Sequence, residues 1–231
     1  MPPRSSPLFL ALLLAALPGD ARASDLAPYR VVVNAENPTD FLTRDQLSSL
    51  FLRKVENWRH GVEVEPVELA SASPERAAFT HDIHDRSLQS IQSYWQRQVL
   101  TGRKIPPLEA ASDAEVLEQV RSHAGAIGYV SADTRPVGVK EVGVAEEPVL
   151  LQDARPLYPA RARRARVQGL VVLEVEVDET GRVAGVEPRN QLSHGLTSEA
   201  IRAVRRFLYE PASYRGRPVP VRIEVAVRFS L

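Results

Sequence analysis

A period of two constrains this chain more than any other feature. From Val221 to Leu231 apolar residues fill every second position: Val221, Ile223, Val225, Val227, Phe229 and Leu231. Arg222, Glu224, Arg228 and Ser230 fall between them. Such alternation lays one face of an extended strand on a core and leaves the other in solvent. An earlier stretch repeats the pattern. Val171, Leu173, Val175 and Val177 share a face, "DETG" turns, and Val183 and Val186 continue. The pair reads as a β-hairpin and a separate final strand. A strand of this kind at a sheet edge presents a row of unpaired N–H and C=O groups, a template for another strand.

Helical patterns complete this unit. "YPARARRARVQG" predicts a short basic helix. "LTSEAIRAVRRFLYEP" predicts an amphipathic one, with Leu196, Ala200, Ile201, Val204 and Leu208 on its apolar face. Residues 157–231 therefore read as an α+β unit: helix, hairpin, helix, final strand. Residues 29–144 follow another rule. The strand-like "YRVVVNAENP", "GVEVEPVELA", "GAIGYV" and "VGVKEVGV" alternate with helical segments. Thr43, Ser73 and Ser112 stand as N-caps, and Pro74 takes a first helical position. "SLQSIQSYWQRQVLTG" places Leu88, Ile91, Trp95 and Val99 on one stripe. Alternating strands and helices predict an α/β lobe. The proline-bearing stretch 145–156 is expected to link the units.

Composition narrows the function. The chain has no cysteine, which excludes disulfides and thiolate metal sites. Charge is balanced at 29 Lys+Arg against 29 Asp+Glu, but residues 149–231 hold 14 against 9. That surplus is too small to argue nucleic-acid binding. No nucleophile elbow, P-loop or dinucleotide fingerprint is present, and no carboxylate spacing marks a catalytic pair, so a non-catalytic protein without cofactors is expected. Near the N-terminus an apolar run from Leu8 to Leu17 precedes Ala21-Arg22-Ala23, the small-x-small pattern of a signal-peptidase site. Ten residues make roughly 15 Å of helix, half of the about 30 Å needed to span a bilayer. Residues 1–23 are expected to be a cleavable signal peptide, so that the protein is exported and keeps no stable membrane span.

The C-terminal unit resembles the C-terminal domain of TonB energy transducers. The resemblance rests on Tyr158-Pro159, Gln168-Gly169, Val177-Asp178, Gly181, the Ala200 to Phe207 helix, Glu210-Pro211-Ala212, Gly216, Pro218-Val219 and the final strand. It implies a domain that binds a short extended peptide of an outer-membrane transporter in the periplasm, as a strand added to its sheet. By this resemblance Arg222, Ile223, Glu224, Val225, Ala226, Val227 and Arg228 form the partner-strand site. A homodimer paired through the same strands is the alternative. Energy transducers carry an N-terminal membrane helix and a long Pro-rich arm. The short signal-like run here points instead to an adaptor in TonB-linked transport.

The N-terminal unit resembles small substrate-binding proteins of phosphate ABC transporters. "VVVNAENP", "LTRDQLSSLFLRKVENWRHGVEVEPVEL", "SPERAAF" and "GAIGYV" carry that resemblance. It implies a periplasmic-binding-protein lobe and a small-anion ligand. Ser71, Ser73 and Arg76 surround a helix N-terminus, where free N–H groups favour an anion. The plainer reading is that Ser73 only caps the helix. Arg161, Arg163, Arg164 and Arg166 form a basic run, either a docking patch for an anionic surface or a solvated helix face. His81 and His84 lie one helical turn apart, but zinc needs three or four ligands and no third is visible, so no metal site is expected.

Overall fold

A computed structural model describes residues 27–231. The expected signal peptide, 1–23, lies outside the described residues. The first unit contains β1 (Tyr29–Asn34), β2 (Phe41–Thr43), α1 (Arg44–Phe51), β3 (Glu65–Leu69), α2 (Pro74–His84), α3 (Leu88–Leu100), β4 (Leu108–Ala110), α4 (Asp113–Ser122), β5 (Ala126–Ser131) and β6 (Val139–Ala145). The second contains β7 (Val149–Gln152), α5 (Ala160–Arg164), β8 (Gly169–Val177), β9 (Val183–Pro188), α6 (Leu196–Val204), β10 (Leu208–Glu210), β11 (Ser213–Tyr214), β12 (Arg217–Pro218) and β13 (Val221–Phe229).

The first unit is a six-stranded mixed sheet, ordered β2-β6-β1-β5-β3-β4. Its central strands are apolar on both faces, as strands covered on both sides must be. Val31, Val32 and Val33 are all buried, as are Ile127, Tyr129 and Val130. Phe51 of α1 and Phe79 of α2 meet Tyr129 over the sheet, with Phe79 and Tyr129 stacked at 4.0 Å between ring centroids. The caps read from sequence hold: Thr43, Ser73 and Ser112 each accept a backbone N–H of the first turn. The stripe of α3 is shorter than its periodicity suggests. Ile91 and Trp95 are buried beside Leu52, whereas Val99, in the last turn, is 54% exposed.

The second unit is built on the antiparallel sheet β13-β8-β9, which α6 covers. Val171, Leu173, Val175 and Val177 are fully buried against Leu196, Ala200 and Val204. The turn after β8 is held by Asp178, whose carboxylate accepts from Thr180 Oγ1 and from the Thr180 and Arg182 amides. The Thr180 hydroxyl, foremost, and these amides keep the carboxyl below its ordinary range. Gly181 adopts φ +77°, and a Cβ there would strike the Tyr209 carbonyl.

Three boundaries differ from the sequence reading. α6 ends at Val204, so Leu208 lies in β10 rather than on the helix face. β13 ends at Phe229, leaving Leu231 outside the strand and 59% exposed. The stretch 145–156 is more than a connection: β7 within it pairs antiparallel with β10 of the second unit.

Candidate functional site

In an antiparallel strand both backbone groups of a residue point to the same side, and the side alternates. The parity in this sheet is set by contacts with β9. Arg189 donates its N–H to the Val172 carbonyl, and Asn190 engages Val172 N–H and Leu170 O. Even-numbered residues of β8 therefore face β9, and odd-numbered ones face β13. The register pairs Ile223 with Val175, Val225 with Leu173 and Val227 with Val171. Odd residues of β13 thus spend their backbone groups on β8. Arg222, Glu224, Ala226 and Arg228 turn theirs outward, along an edge that pairs with no other strand among the described residues.

The seven residues singled out from sequence divide accordingly. Arg222, Glu224, Ala226 and Arg228 supply the outward backbone and the exposed side chains. Ile223 and Val225 are half-buried and Val227 is buried; they supply the apolar inner face. Across the solvent face Glu224, Glu174 and Glu187 form one row, since Glu174 pairs with both neighbours. The row is offset by arginines. Arg189 pairs with Glu174, and Arg222 reaches Glu176 at 3.0 Å.

The first lobe also reaches this site. Arg59 pairs with Glu174 and, at 2.6 Å, with Glu187. Gln46 Nε2 donates to the Arg222 carbonyl at 2.6 Å. An apolar seam fixes the lobe there: Ala145, Ala212, Val219 and Val221 are buried together, with Phe41, Tyr214 and Ile223 packed on them. Phe41 and Tyr214 lie 5.6 Å apart. Gly143 makes room for both, because a Cβ would stand 2.7 Å from Phe41 Cδ1. Glu146 N–H bonds the Ser213 carbonyl at 2.7 Å. None of the lobe's contributions was read from sequence. Gln46 carried a local signal as a helix-capping residue, but nothing local signals its second bond.

The other singled-out residues lie elsewhere. Ser73 Oγ accepts the Arg76 N–H and donates to Glu75 at 2.6 Å, so the cap is formed as expected. Ser71 N–H bonds the Glu109 carboxylate at 3.0 Å. Arg76 turns inward to pair with buried Glu68. The chain's own carboxylates thus occupy this helix start. Arg161, Arg163, Arg164 and Arg166 are all exposed. Arg161 Nε donates to the His194 carbonyl, and Arg163 lies over the Tyr158 ring at 5.7 Å. His84 is buried against Ser48, while His81 stands exposed beside Asp82. Among the described residues no cluster of three His, Cys, Asp or Glu side chains is placed to hold a metal, and no helix is long and apolar enough to cross a membrane.

Parts of this chain are similar to known proteins. A phosphate ABC transporter substrate-binding protein from Clostridium perfringens superposes with a TM-score of 0.42 and 18% identity, over 51% of this chain and 44% of that one. The Pseudomonas aeruginosa TonB C-terminal domain superposes with a TM-score of 0.32 and 19% identity, over 36% of this chain and 86% of that one. In sequence, Protein TonB of Xanthomonas campestris pv. campestris is 35% identical over 77 residues, covering 33% of this chain and 34% of the relative. Protein TonB of Vibrio cholerae is 27% identical over 101 residues, covering 38% and 40%. The chain thus spans little more than a third of the length of these curated relatives. Residues 154–231 match the family model of the Gram-negative bacterial TonB protein C-terminal domain.

Proposed function

We propose that this protein is a non-catalytic periplasmic adaptor of TonB-linked transport that binds an extended peptide of an outer-membrane transporter along β13. The observation that carries the reading is the outward row of backbone groups at Glu224, Ala226 and Arg228. Each residue offers an N–H and a C=O in strand geometry, flanked by the half-buried Ile223 and Val225. Backbone pairing would supply affinity, and the alternating side chains selectivity. The match of residues 154–231 to the TonB C-terminal family, and the relatives named Protein TonB, support this reading.

The parity of β13 selects the test. A proline at Val225 would break the ladder to β8. A proline at Ala226 removes an N–H that faces outward and leaves that ladder whole. Full-length protein and the Ala226→Pro variant are immobilised and exposed to detergent-solubilised outer membranes. The wild type is expected to retain TonB-dependent transporters and the folded variant to lose them. Equal retention by a folded Ala226→Pro protein refutes strand addition.

A further inference from the structure

Gln46 makes two bonds that serve different ends. Its side-chain oxygen accepts the Thr43 N–H at 2.9 Å and closes a capping box at the start of α1. Its amide nitrogen donates to the Arg222 carbonyl at 2.6 Å. A backbone N–H only donates and a carbonyl only accepts, so both ends fix the orientation of the amide. The Arg222 carbonyl is the first outward acceptor of β13. A partner strand extended along the edge would direct a backbone N–H at the same atom.

We propose that Gln46 is a register stop: it fills the first acceptor of the β13 edge and confines a partner strand to Glu224, Ala226 and Arg228. This rests on the strand-addition reading. The stop is fixed in place, because the apolar seam of Phe41, Ala145, Ala212, Tyr214, Val219 and Val221 joins the lobe that carries it to the second unit. The side chains along the open rungs define the segment that fits. Glu224 calls for a basic residue beside it, and Arg228 for an acidic one. Exposed Ala226 lies between them on the same face. On the other face, Val225 and Val227 call for apolar residues. The partner is therefore a strand of five residues, basic, apolar, small, apolar, acidic, in either direction along the edge.

The probes are acetyl-Lys-Val-Thr-Val-Glu-amide, its reverse, and each extended by a Val and a Thr beyond the Lys, towards Arg222. Binding to isotope-labelled full chain is followed by backbone amide shifts at up to millimolar peptide. In the wild type the amides of Glu224, Ala226 and Arg228 are expected to move, and the extension to add no affinity. Gln46→Glu keeps an oxygen for the cap and loses the N–H donor. In it the Arg222 amide is expected to join the response and the extended probe to gain about fivefold, the worth of one net hydrogen bond. Gln46→Ala is expected to show the same gain without the added charge. An extended probe that already binds the wild type more tightly than the short one, with Arg222 responding, overturns the stop while leaving strand addition standing. An extended probe that gains nothing in either variant overturns it as well. If no probe perturbs the edge of any of the three proteins, strand addition falls and the stop falls with it.

Discussion

Two prolines one residue apart on β13 should have very different effects on stability. Val225 sits opposite Leu173, and the parity of the sheet directs its N–H to the Leu173 carbonyl. Val225→Pro removes that donor and leaves a carbonyl unpaired beside the buried Leu173 side chain, which costs about 1–3 kcal/mol. The lost apolar contacts and the ring's crowding of the strand add to this, for a total of about 2–4 kcal/mol. Ala226 faces its N–H outward, so Ala226→Pro removes no ladder bond. Its cost is limited to backbone adjustment, about 1 kcal/mol or less, as prolines on edge strands with a solvent-facing N–H show. Urea unfolding of the full chain, monitored by far-ultraviolet dichroism, reads the difference as a shift in midpoint at unchanged slope. Equal losses from both prolines, or a larger loss at Ala226, would mean that the parity assigned to β13 is inverted. The outward edge would then run through Ile223, Val225 and Val227.

The remaining expectations concern the two units separately. His84 has its pKa lowered to about 4, first by burial and then by the charges of Arg76, Arg86 and Lys54. The unfolded chain takes up this proton near pH 6.5, while the folded one resists it until about pH 4. Stability present above pH 6.5 is therefore lost as the pH falls through that window, by up to about 3 kcal/mol. Urea midpoints at pH 7.5 and 4.5 should differ less in His84→Gln than in the wild type; an unchanged difference refutes the assignment. In the second unit Gly181→Ala combines a left-handed φ with a clash against the Tyr209 carbonyl. It should cost several kcal/mol by the mechanisms of backbone strain and overpacking, about 2–4 kcal/mol. A melting temperature within a degree of wild type would show that the turn relaxes.

Much of the architecture could be read locally. The alternation at Val171 to Val177 and Val221 to Phe229 marks both strands, because a half-buried strand must alternate. Thr43, Ser73 and Ser112 mark helix starts, because the orphan N–H groups of a first turn need an acceptor nearby in sequence. The limits of local reading appear where neighbours decide. Leu208 continues the helical period of α6 but joins β10, whose partner β7 lies in the supposed linker. Arg76 has the placement of an anion contact but turns to Glu68 across the core. The short strands β2, β4, β7 and β10 to β12 carry too few residues to show any period.

The sequence by itself determined that the last strand has one apolar and one polar face, because side-chain direction follows from the two-residue repeat of an extended backbone. It did not determine which backbone groups remain unpaired. That depends on the register with β8 and on the contacts of β8 with β9, which tertiary packing sets. Nor could it place Gln46 against Arg222, 176 positions away. One hydrogen bond leaves no periodic trace in the chain, and it forms only because an apolar seam brings the lobe to the start of the edge.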